Sequence, residues 1–287
     1  MNEQSLLSRI TPLAGTRREL IRGIGDDCAV YRQPGSKEDL VFTTDMLIED
    51  VHFRMGTHTA EQAGHQALAR GLSDIASMGA EPRFCLLSLA LTKSISTRWI
   101  DGFYRGLLRL ASETGTVLAG GDLSHAGQVC CDITVCGAVP RGKALLRSGA
   151  KPGDRIYVSG VLGAAAVALA GGKVHPAKPQ LALGLALRGK ASAAMDLSDG
   201  LSTDLERMCL ASGVTAELDG TLPLAPGASE QQGLHGGEDY QLLFAVPRRK
   251  KAPPGATPIG VMIEGKPGVI RFRGKTLSPA GYDHFKS

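Results

Sequence analysis

Aromatic residues make up only 5% of this sequence, with a single Trp among 287 residues. Proteins that grip single-stranded nucleic acid stack bases on aromatic platforms set in a basic groove. No basic stretch here is interleaved with rings, and the formal charge is only +4. Nothing in that balance calls for nucleic acid. Metal-binding cysteine patterns are missing too. The six cysteines (Cys28, Cys85, Cys130, Cys131, Cys136 and Cys209) form no Cys-x-x-Cys pair. Zinc sites draw on clustered Cys and His, so the thiols read as buried and free in a reducing compartment. Long apolar runs are absent as well. The uncharged stretch from Ile156 to Gly172 is short for a membrane span and rich in Gly and Ala. The opening Met1-Asn-Glu-Gln-Ser5 lacks the basic-then-apolar order of a secretion signal. A cytoplasmic protein is expected, binding neither membrane nor nucleic acid.

Several familiar phosphate and metal fingerprints fail. Gly260 to Lys266 has phosphate-loop spacing, but Pro267 stands where the metal-binding Ser or Thr belongs. Gly268 to Thr276 has one residue too many, and both segments read as hairpin turns. Gly23-Ile-Gly25 lacks the third glycine of a dinucleotide loop. Asp196 to Gly200 lacks the oxygen spacing of a calcium loop. Asp122, Ser124 and His125 lie too close in sequence to suggest a nucleophilic triad.

What the sequence does have is glycine, 37 residues of it, and a repeated acidic grammar. Asp26-Asp27, Asp45, Ser73-Asp74, Gly120-Gly-Asp122, Asp196-Leu-Ser-Asp199 and Gly236-Gly-Glu-Asp239 each put an acid at the edge of an apolar segment. So many acids cannot enter a core unless cations neutralise them. Hard cations such as Mg2+ take oxygen ligands of this kind, completed by phosphate and water. Each piece also has a plainer reading. Asp196 and Ser198 would serve as helix caps, Gly120-Gly-Asp122 as an Asx turn, His52 as a packed histidine, Arg147 as a solvated charge and Tyr282 as a core or rim residue.

A length of 287 residues points to two domains, with one large domain as the alternative, and a 43% hydrophobic content allows a sizeable core. The basic, glycine-rich segment 140–153 marks the boundary, giving 1–140 and 141–287. Strands are predicted at 40–44 (ending in Asp45), 84–91, 116–119 (running into the Gly-Gly-Asp), 129–139, 155–159, 214–218, 240–246 and 259–263. Helices are predicted over 97–113, 164–170 and 180–187, and from Leu201 to a stop at Gly213. Another runs from a Thr59 cap to about Met78, with Asp74 one position off its apolar stripe.

Taken together, ten segments resemble the thiamine-monophosphate kinase family. They are Gly23-Ile-Gly-Asp-Asp27, Thr43-Thr-Asp45, Val51-His-Phe53, Leu72-Ser-Asp-Ile75, Met78-Gly-Ala80, Gly120-Gly-Asp122, Arg147 to Asp154, Asp196 to Gly200, Gly236-Gly-Glu-Asp-Tyr240 and Gly281-Tyr-Asp-His-Phe285. That family belongs to the wider ATP-binding group built like aminoimidazole ribonucleotide synthetase. Three positions depart from its usual pattern: Asp50 where Gly is common, Gly71 where Asn is usual, and Gln180 where Arg is expected.

The resemblance implies two α/β domains and ATP-dependent phosphorylation of thiamine monophosphate to thiamine diphosphate in the cleft between them. It also implies several Mg2+ ions and a homodimer formed through the first domain. It carries the metal shell onto Asp27, Thr43, Thr44, Asp45, Asp74, Asp122, Asp196 and Asp199. ATP contacts fall to Gly121, Asp122, Arg147 and Ser198, and acceptor contacts to His52, Glu238 and Tyr282. No general base is assigned, because a phosphate monoester, with a second pKa of about 6, is already ionised at neutral pH. Two other readings are another enzyme of the same superfamily and a nucleotide-binding module without catalysis.

Overall fold

The computed structural model describes residues 3–285. Two sheets organise the chain, and one helix lies between them. The first sheet has six strands: β1 (Leu20–Arg22), β2 (Ala29–Tyr31), β3 (Glu38–Ile48), β4 (Glu81–Leu91), β5 (Val117–His125) and β6 (Cys130–Pro140). Their spatial order is β1-β2-β3-β6-β4-β5. The second sheet has seven: β7 (Arg155–Ser159), β8 (Ala193–Asp196), β9 (Thr215–Leu218), β10 (Leu242–Val246), β11 (Ala256–Ile263), β12 (Ile270–Phe272) and β13 (Lys275–Leu277). Its order is β13-β12-β9-β11-β7-β10-β8. The helices are α1 (Glu3–Ile10), α2 (Ala60–Ser77), α3 (Thr97–Thr114), α4 (Ala164–Ala170), α5 (Leu181–Leu187), α6 (Leu201–Ser212) and α7 (Glu230–His235). Among the described residues no helix is long and apolar enough to cross a membrane.

The central helix is α2. Thr59 and Gln62 form a capping box at its start, each side chain accepting from the other's backbone N–H. Its apolar stripe, Ala63, Ala67, Leu68, Leu72 and Ile75, packs with α3 on the first sheet in one core. Its other side is also buried, because Ala69, Gly71, Ser73, Ala76 and Ser77 are small enough to admit close neighbours. Ala76 joins a separate core with Leu187 of α5 and Phe244 of β10, on the second sheet. A helix buried on both sides carries its polar residues into the seam between sheets.

The first sheet is covered on one face only. Along β3, Val41, Thr43 and Leu47 are buried, while the alternating Thr44 and Met46 are exposed. Met46 and Leu86 are 49% and 40% exposed, and Val117 and Leu123 on edge strand β5 reach 60% and 69%.

Two expectations need correcting. Asp45 does not end its strand: β3 runs to Ile48, because pairing with β6 continues from Glu38–Pro140 to Ile48–Cys130. The Gly-Gly-Asp is not a turn. It lies inside β5, with Gly120, Gly121 and Asp122 opposite Leu86, Leu87 and Ser88. A Cβ at Gly121 would stand 1.8 Å from the Leu87 carbonyl oxygen, so glycine is needed there for strand packing.

Candidate active site

Three carboxylates from three separate elements meet in the seam. Asp27 comes from the turn between β1 and β2, Asp74 from α2 and Asp196 from the end of β8, and one oxygen of each lies within 4.8 Å of the others. Each is steered by a hydroxyl. Ser77 Oγ donates to Asp27, Thr43 Oγ1 to Asp74, and Ser73 Oγ to Asp196 at 2.6 Å. Ser73, Asp74 and Ser77 share one turn of α2, so the helix sets most of this geometry. Burial raises the Asp74 carboxyl well above its ordinary range, and the neighbouring Asp45, Asp196 and Asp27 raise it further. Asp196 is raised in the same way, by burial and then by Asp27. Burial also raises Asp45, against the opposing pull of Arg70. Clustered carboxylate oxygens that resist ionising fit a hard divalent cation.

Three arginines line the same cleft. Arg147 Nε donates to Asp27 Oδ1 at 2.7 Å, and its backbone N–H donates to Asp26. Arg207 bridges Asp199 and Asp204. Asp204 accepts from the backbone N–H groups of Asp199 and Gly200 at 3.1 Å, so it holds the start of α6. Asp196 and Ser198 are therefore free of the capping duty their positions suggested. Arg70, on α2, faces both Asp45 and Glu238. Burial opposes its charge, but Tyr240, Asp45 and Glu238 outweigh that and keep it protonated.

The remaining wall comes from His52, the 236–240 loop and the chain's last described residues. The loop is strained: Glu238 and Tyr240 both have positive φ, at 63° and 48°. Anchors on each side hold it. Asp239 accepts from Gly163 and Ala165 N–H at 2.6 and 3.0 Å, and Tyr240 is buried in the first core. Glu238 is thus presented to the cleft. The tail is docked by Tyr282 N–H donating to the Asp199 carbonyl at 3.0 Å. His284 packs edge-on against Tyr282 at 4.7 Å and against His52 at 5.1 Å, measured between ring centroids. His52 Nδ1 accepts from the Ile48 N–H, which leaves its proton on Nε2. Burial, then Arg70 and His284, lower its pKa to about 3, so the ring is neutral.

Asp27, Thr43, Thr44, Asp45, His52, Asp74, Arg147, Asp196, Ser198, Asp199, Glu238 and Tyr282 all line this cleft. Thr44 does so with its hydroxyl turned away, donating to Asp132 at 2.7 Å. Gly121 and Asp122 are not brought in. Gly121 shares a cross-strand row with Asp45 through Ile133 and Leu87. Three strand spacings separate them, about 14 Å. Arg70, Arg207, Asp204 and His284 escaped the sequence reading. His284 had a signal, since it sits inside the Gly-Tyr-Asp-His-Phe segment. Arg70 had none, because a lone helical Arg reads as a surface charge.

Two departures from the family pattern have physical causes. Asp50 adopts φ 61°, the left-handed region that glycine fills most readily and Asp tolerates. At Gly71 a Cβ would lie 2.6 Å from Val135 Cγ2, so a larger residue requires Val135 to move.

Comparison with known proteins decides the family. Residues 25–139 match the profile of the AIR synthase related protein, N-terminal domain. The thiamine-monophosphate kinase of Salmonella typhimurium is 36% identical, over 99% of this chain and 98% of that one. The chain belongs to the thiamine-monophosphate kinase family. The Bacillus subtilis member is 33% identical over the whole of both chains. A solved structure of AaThiL complexed with AMPPCP and TMP superposes with a TM-score of 0.89 at 29% identity, covering 99% of this chain and 97% of that one. That likeness spans both sheets and the helix between them.

Proposed function

We propose that the protein transfers the terminal phosphoryl group of ATP to the phosphate of thiamine monophosphate, giving thiamine diphosphate. The observation that carries this is the Asp27–Asp74–Asp196 cluster lying in one cleft with His52, Glu238 and Tyr282. Family membership supports it, as does the likeness to a structure holding AMPPCP and TMP. The chemistry agrees. An acceptor that is already anionic needs no base, and His52, with a pKa of about 3, is too weak to be one.

The difficulty is bringing two polyanions together. One pair of like unit charges ~4 Å apart costs about 4 kcal/mol at an effective dielectric near 20. Mg2+ would be held by Asp27, Asp74 and Asp196, with Thr43, Asp45 and Asp199 beside them, and would neutralise that repulsion and polarise the transferring phosphate. The protein's own groups then orient the partners. Ser73, Ser77 and Thr43 fix the acids. Arg147 and Ser198 face ATP, and Arg147 stabilises charge on the transferring group. Glu238 offers a counter-charge to the thiazolium, and Tyr282 offers a flat face.

Residues 1–140 form the metal and ATP domain in this reading, and 141–287 complete the cleft. The uncovered face of the first sheet and exposed strand β5 supply a homodimer surface, which would also enclose Thr44, Gly121 and Asp122. Incubation with ATP, Mg2+ and thiamine monophosphate, followed by chromatography, tests the reaction. Thiamine diphosphate and ADP are expected in equal amounts. ATP binding without turnover would instead favour a non-catalytic module.

A further inference from the structure

Two of the cleft's three arginines are committed to close carboxylate partners. Arg147 lies 2.5 Å from Asp27, and Arg207 lies 2.5 and 3.0 Å from Asp199 and Asp204. Arg70 is placed differently. Its Nε is 3.8 Å from Asp45 and its Nη1 is 3.3 Å from Glu238. Charge-assisted bonds in a settled pair are shorter, roughly 2.7–2.9 Å. The side chain is only 13% exposed, its guanidinium sits 5.9 Å over the Tyr240 ring, and its buried Nε has no hydrogen-bond partner. Leaving a buried donor unmade is costly, and a guanidinium fork matches phosphate oxygens.

Its position narrows the choice of phosphate. Asp45 belongs to the acid cluster, whereas Glu238 belongs to the wall with Tyr282 and His52. A thiamine ring system on that wall must direct its phosphate toward the acids, across Arg70. We propose that Arg70 binds the phosphate of the acceptor monoester and so discriminates thiamine monophosphate from thiamine. This assignment rests on the function proposed above. It makes the acceptor site a two-part device, in which the ring-binding groups are shared by both molecules and Arg70 reads only the phosphate.

The test is calorimetric binding of thiamine monophosphate and of thiamine, each with Mg2+ and without ATP. It compares wild type, Arg70→Gln and Arg70→Lys. Arg70→Gln is expected to weaken monophosphate binding by about 10- to 100-fold, the range for losing hydrogen bonds to a charged group. Thiamine binding should stay within about twofold, and Arg70→Lys, which keeps charge without the fork, should fall between. Equal loss for both ligands would mean that Arg70 only braces Glu238, and would overturn the proposal. So would unchanged monophosphate binding. If the variants do not fold, the wild-type Arg Nε–H resonances give the answer. One must shift with monophosphate and not with thiamine, and the absence of any such shift overturns the proposal. A wild type that binds neither ligand sinks the acceptor reading itself, together with this assignment. Turnover of thiamine monophosphate with no Arg70 effect sinks this assignment alone.

Discussion

Asp74 is the acid on which the cleft's repulsion converges, since burial, Asp45, Asp196 and Asp27 all act on its carboxyl in the same direction. Asp74→Asn keeps the volume and removes the charge. Turnover should fall at least about 100-fold, while near-ultraviolet circular dichroism stays native. A variant with full activity would remove the acids from the mechanism. Glu238→Gln should act on a different parameter, raising the acceptor KM by roughly tenfold and leaving the KM for ATP within about twofold. Initial rates over both substrates would show the split, and equal changes in both would refute the wall's role. At this scale the acids were legible, because each stands beside Gly or Ser at the edge of an apolar run. Their partners were not. Asp204 is an ordinary helical acid until it is seen to hold Asp199 and Gly200 N–H. Arg70 gains meaning only when Glu238, 168 positions along the chain, comes beside it.

Helix α2 was predicted almost to the residue, since Thr59 and an apolar stripe mark it plainly. Its burial on a second side was not, because a row of Ala, Gly and Ser is equally compatible with solvent. The short strands β1, β2, β8 and β13 and the helix α7 were also missed. They have three to six residues each, too few to show a period. Gly-Gly-Asp misled for another reason, in that a glycine needed for strand packing looks the same in sequence as one needed for a turn. The capping box can be tested by itself. Thr59→Ala should cost about 1 kcal/mol of stability, read as a lower denaturant midpoint, with both KM values unchanged. A shifted acceptor KM would mean that the start of α2 is coupled to the cleft.

Over the whole molecule, protons and metal compete for the same seam. Without metal, burial and neighbouring charge raise Asp74 and Asp196 well above the ordinary range, and burial raises Asp204 to about 7. A carboxyl whose folded pKa lies above its unfolded value, about 3.9, binds its proton more tightly when folded. The stability it contributes is complete below pH ~4 and is lost as pH rises through the folded pKa. A divalent cation replaces those protons. The rise in Tm on adding Mg2+ to chelated protein should therefore be larger at pH 8 than at pH 5. Scanning calorimetry at both values checks this, and an equal rise would exclude proton–metal exchange. Most of the strands and helices follow from hydrophobic patterning, while the two-domain α/β arrangement came only from the family resemblance. The distance between Gly121 and Asp45 depends on strand order, which no local pattern contains.

The docking of Tyr282 and His284 over His52 has a consequence for synthesis. Domains fold as units, the N-terminal one first, as the chain emerges. Asp27, His52 and Asp74 lie in the first half, Asp196 is made later, and the aromatic pair later still. A nascent chain can thus gather its first sheet long before it has anywhere to seat an acceptor. The segment that carries Tyr282 and His284 can settle onto Asp199 and His52 only after those residues are in place.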